Sequence, residues 1–152
     1  MAKGIYCIVF KNPGCTVRVG ALGVPEFRAG WHIYVGSALG SGGLQRLERH
    51  ISLAHLRKKR PTWHVDYLLT SPFFSLEYAV CAITTDRLEC RIARKLNKDC
   101  VPKFGCSDCS CISHLLYRQV DPRQEILGAF RELQLKPVIK TIFNNPQVQD
   151  NI

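Results

Sequence analysis

The chain has 152 residues, 46% of them hydrophobic, and its 21 Lys and Arg against 12 Asp and Glu give a formal net charge of +9. That length and apolar share suit one soluble domain with its own core. No run approaches the roughly 18 apolar residues that a membrane span needs, which excludes a helical membrane protein. The positive excess favours a polyanionic partner, most simply nucleic acid, over the plainer reading of a basic solvated surface. The N-terminus, MAKG, lacks the apolar core of a signal peptide, so an intracellular, cytoplasmic protein is expected. In that setting the eight cysteines are read as reduced thiols or metal ligands rather than as a disulfide framework.

Gly4 to Phe10 is rich in β-branched and aromatic residues and predicts a first strand. Asn12-Pro13-Gly14 is a turn signal, after which Thr16 to Val19 predicts a second strand folding back as a hairpin. Gly20 to Gly30 is a loop. In the third strand Ile33 and Val35 alternate with His32, Tyr34 and Gly36, the period of a half-buried strand. Gly36, Gly40, Gly42 and Gly43 then break the pattern, and Leu44, Leu47, Ile51 and Ala54 return at helical spacing, for a helix to about His55. That spacing puts Arg46 and His50 one turn apart at one margin of the apolar stripe, with Arg49 and Arg57 further toward solvent. His55 to Pro61 is a basic run, and Trp63 to Leu69 fits a short helix or a strand. Leu76 to Thr84 predicts a strand and Asp86 to about Lys98 a helix. Val101 to Ser113 is a loop rich in glycine and cysteine, and His114 to Tyr117 is strand-like. Asp121-Pro122 opens a last helix, to about Leu135. No linker divides residues 1–143, and residues 144–152 form a polar tail.

Several residues invite chemistry, each with a plainer alternative. Glu89 falls beside the buried stripe of its helix, where an unpaired carboxylate is costly. It either folds back in an Asp86-x-x-Glu89 capping box or reaches a cleft as a metal ligand. Tyr6 and Tyr34, on strands that could be neighbours, are packing residues or site residues. Trp63 and Tyr67 could stack on bases, and His64 with Asp66 could pair near a phosphate, though WHVDYLL reads more simply as packing through Val65, Leu68 and Leu69. Cys106, Cys109, Cys111 and His114 are zinc-type donors in an unusually compact spacing, with Cys100 just upstream. A thiol-rich turn packed on the core remains the alternative there.

Gly4-Ile5-Tyr6, Tyr34-Val35-Gly36, the Arg46/His50 pair and the downstream Glu89 together resemble the core of the GIY-YIG nucleases. The departure is Val35 where the second triplet has isoleucine. YVGSALG, GGLQRLERH, WHVDYLL and FGCSDCSCISHL resemble, more narrowly, the DUF123 branch. The resemblance implies an α/β (α+β) fold, a small, mainly antiparallel sheet flanked by helices. It also implies a divalent-metal-dependent endonuclease acting on DNA in repair or recombination, alone, as a homodimer or with a partner repair protein.

By the same resemblance, Tyr6 is the general base, although a phenol near pKa about 10 needs help to act near neutrality. Tyr34 positions water or phosphate, and Arg46 holds the non-bridging oxygens. His50 matches a position of histidine or tyrosine that binds phosphate or shuttles a proton. Glu89 alone would hold one Mg²⁺ or Mn²⁺. Gly36, Ser37, Arg49, Lys58 and Lys59 are the expected substrate contacts, the two lysines from the run Arg57-Lys58-Lys59-Arg60. A catalytically weak DNA-binding module on the same scaffold, or a zinc or thiol protein built on the cysteine loop, are the competing expectations.

Overall fold

The computed structural model describes residues 1–57, 61–105 and 113–141. Its centre is β1 (Gly4–Asn12), in which only Lys11 is exposed. A strand buried on both faces must sit between two others, and β1 pairs antiparallel with β4 (Gly30–Ala38) on one side and β5 (Ser75–Ile83) on the other. β6 (Leu115–Arg118) and β7 (Val138–Thr141) extend the sheet in the order β6-β4-β1-β5-β7, and every pairing is antiparallel. The fold is therefore the expected antiparallel sheet flanked by helices.

The period-two alternation of β1 assigns its side chains to two cores. Tyr6, Ile8 and Phe10 meet α1 (Gln45–Leu56) and α2 (His64–Leu69) through Leu47, Leu53, Val65 and Leu68. Ile5, Cys7 and Val9 meet α3 (Glu89–Lys95) and α4 (Arg123–Glu132) through Ile92, Ala93, Ile126 and Phe130. Removing those apolar surfaces from water from both faces is the main stabilising term. No described helix is long and apolar enough to cross a membrane.

Four sequence expectations change. Of Thr16 to Val19, expected to fold back on β1, only Thr16 is in a strand, the two-residue β2 (Cys15–Thr16), which pairs with β3 (Glu26–Phe27) away from the main sheet. The helix expected from Asp86 begins at Glu89 and ends at Lys95, and the last helix ends at Glu132, where Gln134 turns left-handed (φ 61°). β7 had no clear signal because its burial is only partial. Cys7, Cys15, Cys81 and Cys100 are free thiols, whereas Cys90 is disulfide-bonded, against the expectation of a reduced chain. The tail expected from Asn144 lies outside the described residues.

Candidate active site

Strand register determines where the two phenols lie. Tyr6 pairs with Gly36 and Ile8 with Tyr34, so Tyr6 and Tyr34 project from one face of the sheet as diagonal neighbours. The Tyr6 ring lies across Gly36: a Cβ there would come within 2.6 Å of both Cζ and the phenol oxygen. Only a residue without a side chain allows that approach. β6 pairs with β4 over Trp31–Tyr34, and the Val35 N–H still donates to the His114 carbonyl at 2.9 Å, so beyond it the β4 edge at Gly36 and Ser37 is left to a cleft of about 290 Å³.

α1 supplies the cation and an imidazole. Arg46 is exposed on the cleft side and donates through Nη1 to the Ser37 carbonyl at 3.1 Å. His50, one turn on, shares the buried stripe with Leu47 and Leu53 and is only 4% exposed. The helical spacing placed it at the margin of that stripe; the buried stripe is wide enough to take it in. Its Nε2 lies 3.0 Å from the Tyr6 hydroxyl, a hydrogen bond whose direction depends on the ring tautomer. Burial, and then Tyr34 beside it, hold the Tyr6 phenol well above its ordinary pKa, and the Arg46 guanidinium offsets this only in part.

Trp63, 47% exposed, forms the rim. The Arg46 guanidinium sits 5.2 Å from its ring centroid, and the His50 ring meets it edge-on at 6.0 Å. Asp66 anchors this segment: it is fully buried, and Oδ2 accepts the backbone N–H groups of Thr62 at 2.9 Å and Trp63 at 3.0 Å. Asp66, the third residue after the cap residue Trp63, thus holds the N-terminus of α2 rather than pairing with His64, the alternative the sequence offered. His64 instead accepts the Gly105 N–H on Nδ1 at 2.9 Å. Val65, Leu68 and Leu69 are buried in the core, and the half-buried Tyr67 packs against it.

Glu89 reaches the cleft from the first position of α3. The capping box Asp86-x-x-Glu89 is not formed, because Leu88 is the cap residue and the Asp86 N–H goes to Thr84 Oγ1. Glu89 Oε2 is buried and has no hydrogen-bond partner among the described residues. An orphaned carboxylate oxygen on the wall of a polar cleft fits a hard divalent cation, which prefers such oxygens. Among the described residues no group of three or more His, Cys, Asp or Glu could hold a metal, so Glu89 would do so as the single protein carboxylate.

One cleft therefore gathers Tyr6, Tyr34, Gly36, Ser37, Arg46, His50 and Glu89. Arg49 lines an adjoining hollow of about 390 Å³ with the glycine turn at 40–43, and Arg46 borders both. His114 also lines the cleft, with Nε2 3.6 Å from Cys90 Sγ. Lys58, Lys59, Cys106, Cys109 and Cys111 lie outside the described residues. Trp63, His64 and Gly105 belong to the cleft although the sequence reading assigned the first two mainly to packing. The available signal was a polar start, Thr62-Trp63-His64, ahead of the apolar positions of a short helix.

A family model described as "Domain of unknown function DUF123" matches residues 5–135. No curated protein and no solved structure matches the chain.

Proposed function

The chain belongs to the DUF123 family, and on that premise we propose that it is a divalent-metal-dependent endonuclease of the GIY-YIG type, hydrolysing phosphodiester bonds in DNA. The observation that carries this reading is the convergence of two phenols, a guanidinium, an imidazole and an orphaned carboxylate on one cleft. The net charge of +9 supplies the attraction to a polyanion.

Arg46 is permanently charged and offers several planar donors. One is used by the Ser37 carbonyl, which aims the guanidinium, and the others serve the non-bridging oxygens of the scissile phosphate. Glu89 would hold one Mg²⁺ or Mn²⁺, which when bound stabilises charge on the phosphoryl and leaving oxygens. Burial keeps the Tyr6 phenol neutral, so a standing phenolate is not the base. The Tyr6–His50 hydrogen bond offers a relay instead: Tyr6 takes a proton from water while passing its own to His50 Nε2. The oxygen of that water bonds to phosphorus as the bond to the leaving oxygen breaks, and the leaving oxygen is protonated from solvent. Tyr34, half-buried and edge-on to Phe104 at 6.2 Å, orients water or phosphate. Arg49 and the glycine turn take the next phosphate along the strand.

The test is cleavage of supercoiled plasmid and of a panel of branched and damaged duplexes with Mg²⁺ or Mn²⁺. Wild type should cut at least one substrate, and Arg46→Ala and Glu89→Ala should not. Salt-sensitive binding with no cleavage under any of these conditions would replace the enzyme with a DNA-binding module on the same scaffold.

A further inference from the structure

We infer that His64 is an additional substrate-contacting residue of this cleft, in which a proton fixed on Nε2 is donated to a phosphoryl oxygen of the bound phosphodiester. The inference rests on the nuclease reading above and adds a role for a residue outside the phenol, guanidinium and carboxylate set.

The geometry assigns the proton. The Gly105 backbone N–H donates to His64 Nδ1 at 2.9 Å, and a nitrogen that accepts in this way carries no proton. The neutral ring must then carry its hydrogen on Nε2. Burial lowers the pKa of His64 from the ordinary imidazole value, in the same direction. Nε2 has no protein hydrogen-bond partner among the described residues, and the ring lines the cleft with Arg46 and Glu89.

Gly105 is built to deliver that N–H. Its φ of 71° is left-handed, and a Cβ there would stand 3.4 Å from Tyr34 Cε1 and 3.3 Å from His114 Cβ. The His64 ring also meets Phe104 edge-on at 5.4 Å, so two consecutive residues hold its orientation. This arrangement excludes other roles. With Nδ1 occupied and Nε2 protonated the ring is no base, and a neutral imidazole is a poor acid. What remains is a preorganised donor, which is what the charge building on a phosphoryl oxygen requires. His50 differs, because its Nε2 is committed to Tyr6.

Two conservative substitutions separate donation from mere support. His64→Asn keeps an acceptor near the Nδ1 position but loses the outer donor. His64→Gln puts an N–H near the Nε2 position but gives up the inner acceptor. On an oligonucleotide that wild type cleaves, kcat/KM of His64→Ala and His64→Asn should fall by about tenfold to a hundredfold, the range of a hydrogen bond to a charged group. His64→Gln should recover most of that loss, although its melting temperature should lie below that of His64→Asn. Long-range ¹H–¹⁵N NMR of the full chain should show the Nε2–H tautomer, and the Nε2 signal should move on adding a dinucleotide phosphodiester without metal. Asn at wild-type activity, Gln no better than Asn, or an Nδ1–H tautomer would each overturn the inference while leaving the nuclease reading intact. A wild type that neither cleaves DNA nor shifts the Nε2 signal would remove both together.

Discussion

Gly36→Ala is the most direct perturbation of the tyrosine face. The added methyl would stand 2.6 Å from Tyr6 Cζ and the phenol oxygen and 2.7 Å from Cε2, about 1 Å inside ordinary carbon contact. Tyr6 is 1% exposed and cannot swing into solvent, so ring and strand must shift together. Overpacking of this kind costs about 1 to 3 kcal/mol. A broken Tyr6–His50 hydrogen bond adds about 0.5 to 1.5 kcal/mol. A total of about 2 to 4 kcal/mol corresponds to a melting temperature lower by about 5 to 15 °C in a chain of this size. If the nuclease reading holds, a phenol misplaced by about 1 Å should also lower kcat about a hundredfold. Gly128→Ala, in α4 and outside the cleft, is the control, since its Cβ meets nothing within 4 Å. Urea denaturation supplies the stability arm and the cleavage assay the functional one. Placing Gly36→Ala in a Tyr6→Leu background should abolish most of the stability loss, because the clash needs the ring. A Gly36→Ala protein as stable and as active as Gly128→Ala would refute the close packing of Tyr6 over β4.

Glu89→Gln should leave the metal-free protein at least as stable as wild type, because it neutralises a carboxylate whose buried oxygen has no partner among the described residues. Mg²⁺ or Mn²⁺ should raise the melting temperature of wild type and not of the variant; equal shifts would remove Glu89 as the ligand. His32 is buried, and burial, then Arg28, lower its pKa from 6.5 to about 4. As pH falls below about 6.5 the unfolded chain binds a proton that the folded one refuses until about pH 4, so stability present above 6.5 is lost across that window. The loss amounts to about 3 kcal/mol. His32→Phe should flatten this stretch of the pH–stability curve, and an unchanged slope would show that another group sets it. Asp66→Ala strips the cap from the Thr62 and Trp63 N–H groups and should cost about 1 to 2 kcal/mol by chemical denaturation. Asp66→Asn, which keeps one acceptor, should cost less, and equal losses would point to the charge rather than the cap.

Legibility in the sequence followed the range of the interaction. β4 and α1 could be read from apolar period and glycine punctuation, because each pattern is repeated locally over several residues. The same local reading failed for α3: Asp86-x-x-Glu89 has the spacing of a capping box, but Leu88 caps the helix and Glu89 reaches the cleft. It failed for His50 as well, since a helix margin looks exposed until the Tyr6 hydroxyl is found 3.0 Å away, 44 residues distant in the chain. Trp63 and His64 were hidden for a related reason: their surroundings come from α1 and from Phe104-Gly105, not from the short helix that follows them.

The order of residues by itself carried most of the strands and helices and the list of groups able to meet a phosphodiester, while the antiparallel sheet was what the family resemblance implied. Apolar periodicity is a local consequence of backbone geometry, and donor chemistry belongs to each side chain alone. Whether those groups share a cleft, which tautomer His64 adopts and whether Glu89 Oε2 is left without a partner among the described residues depend on strand register and on contacts between distant segments. Those are properties of the packed whole, because a hydrogen bond or an orphaned charge exists only once both sides of the cleft are in place.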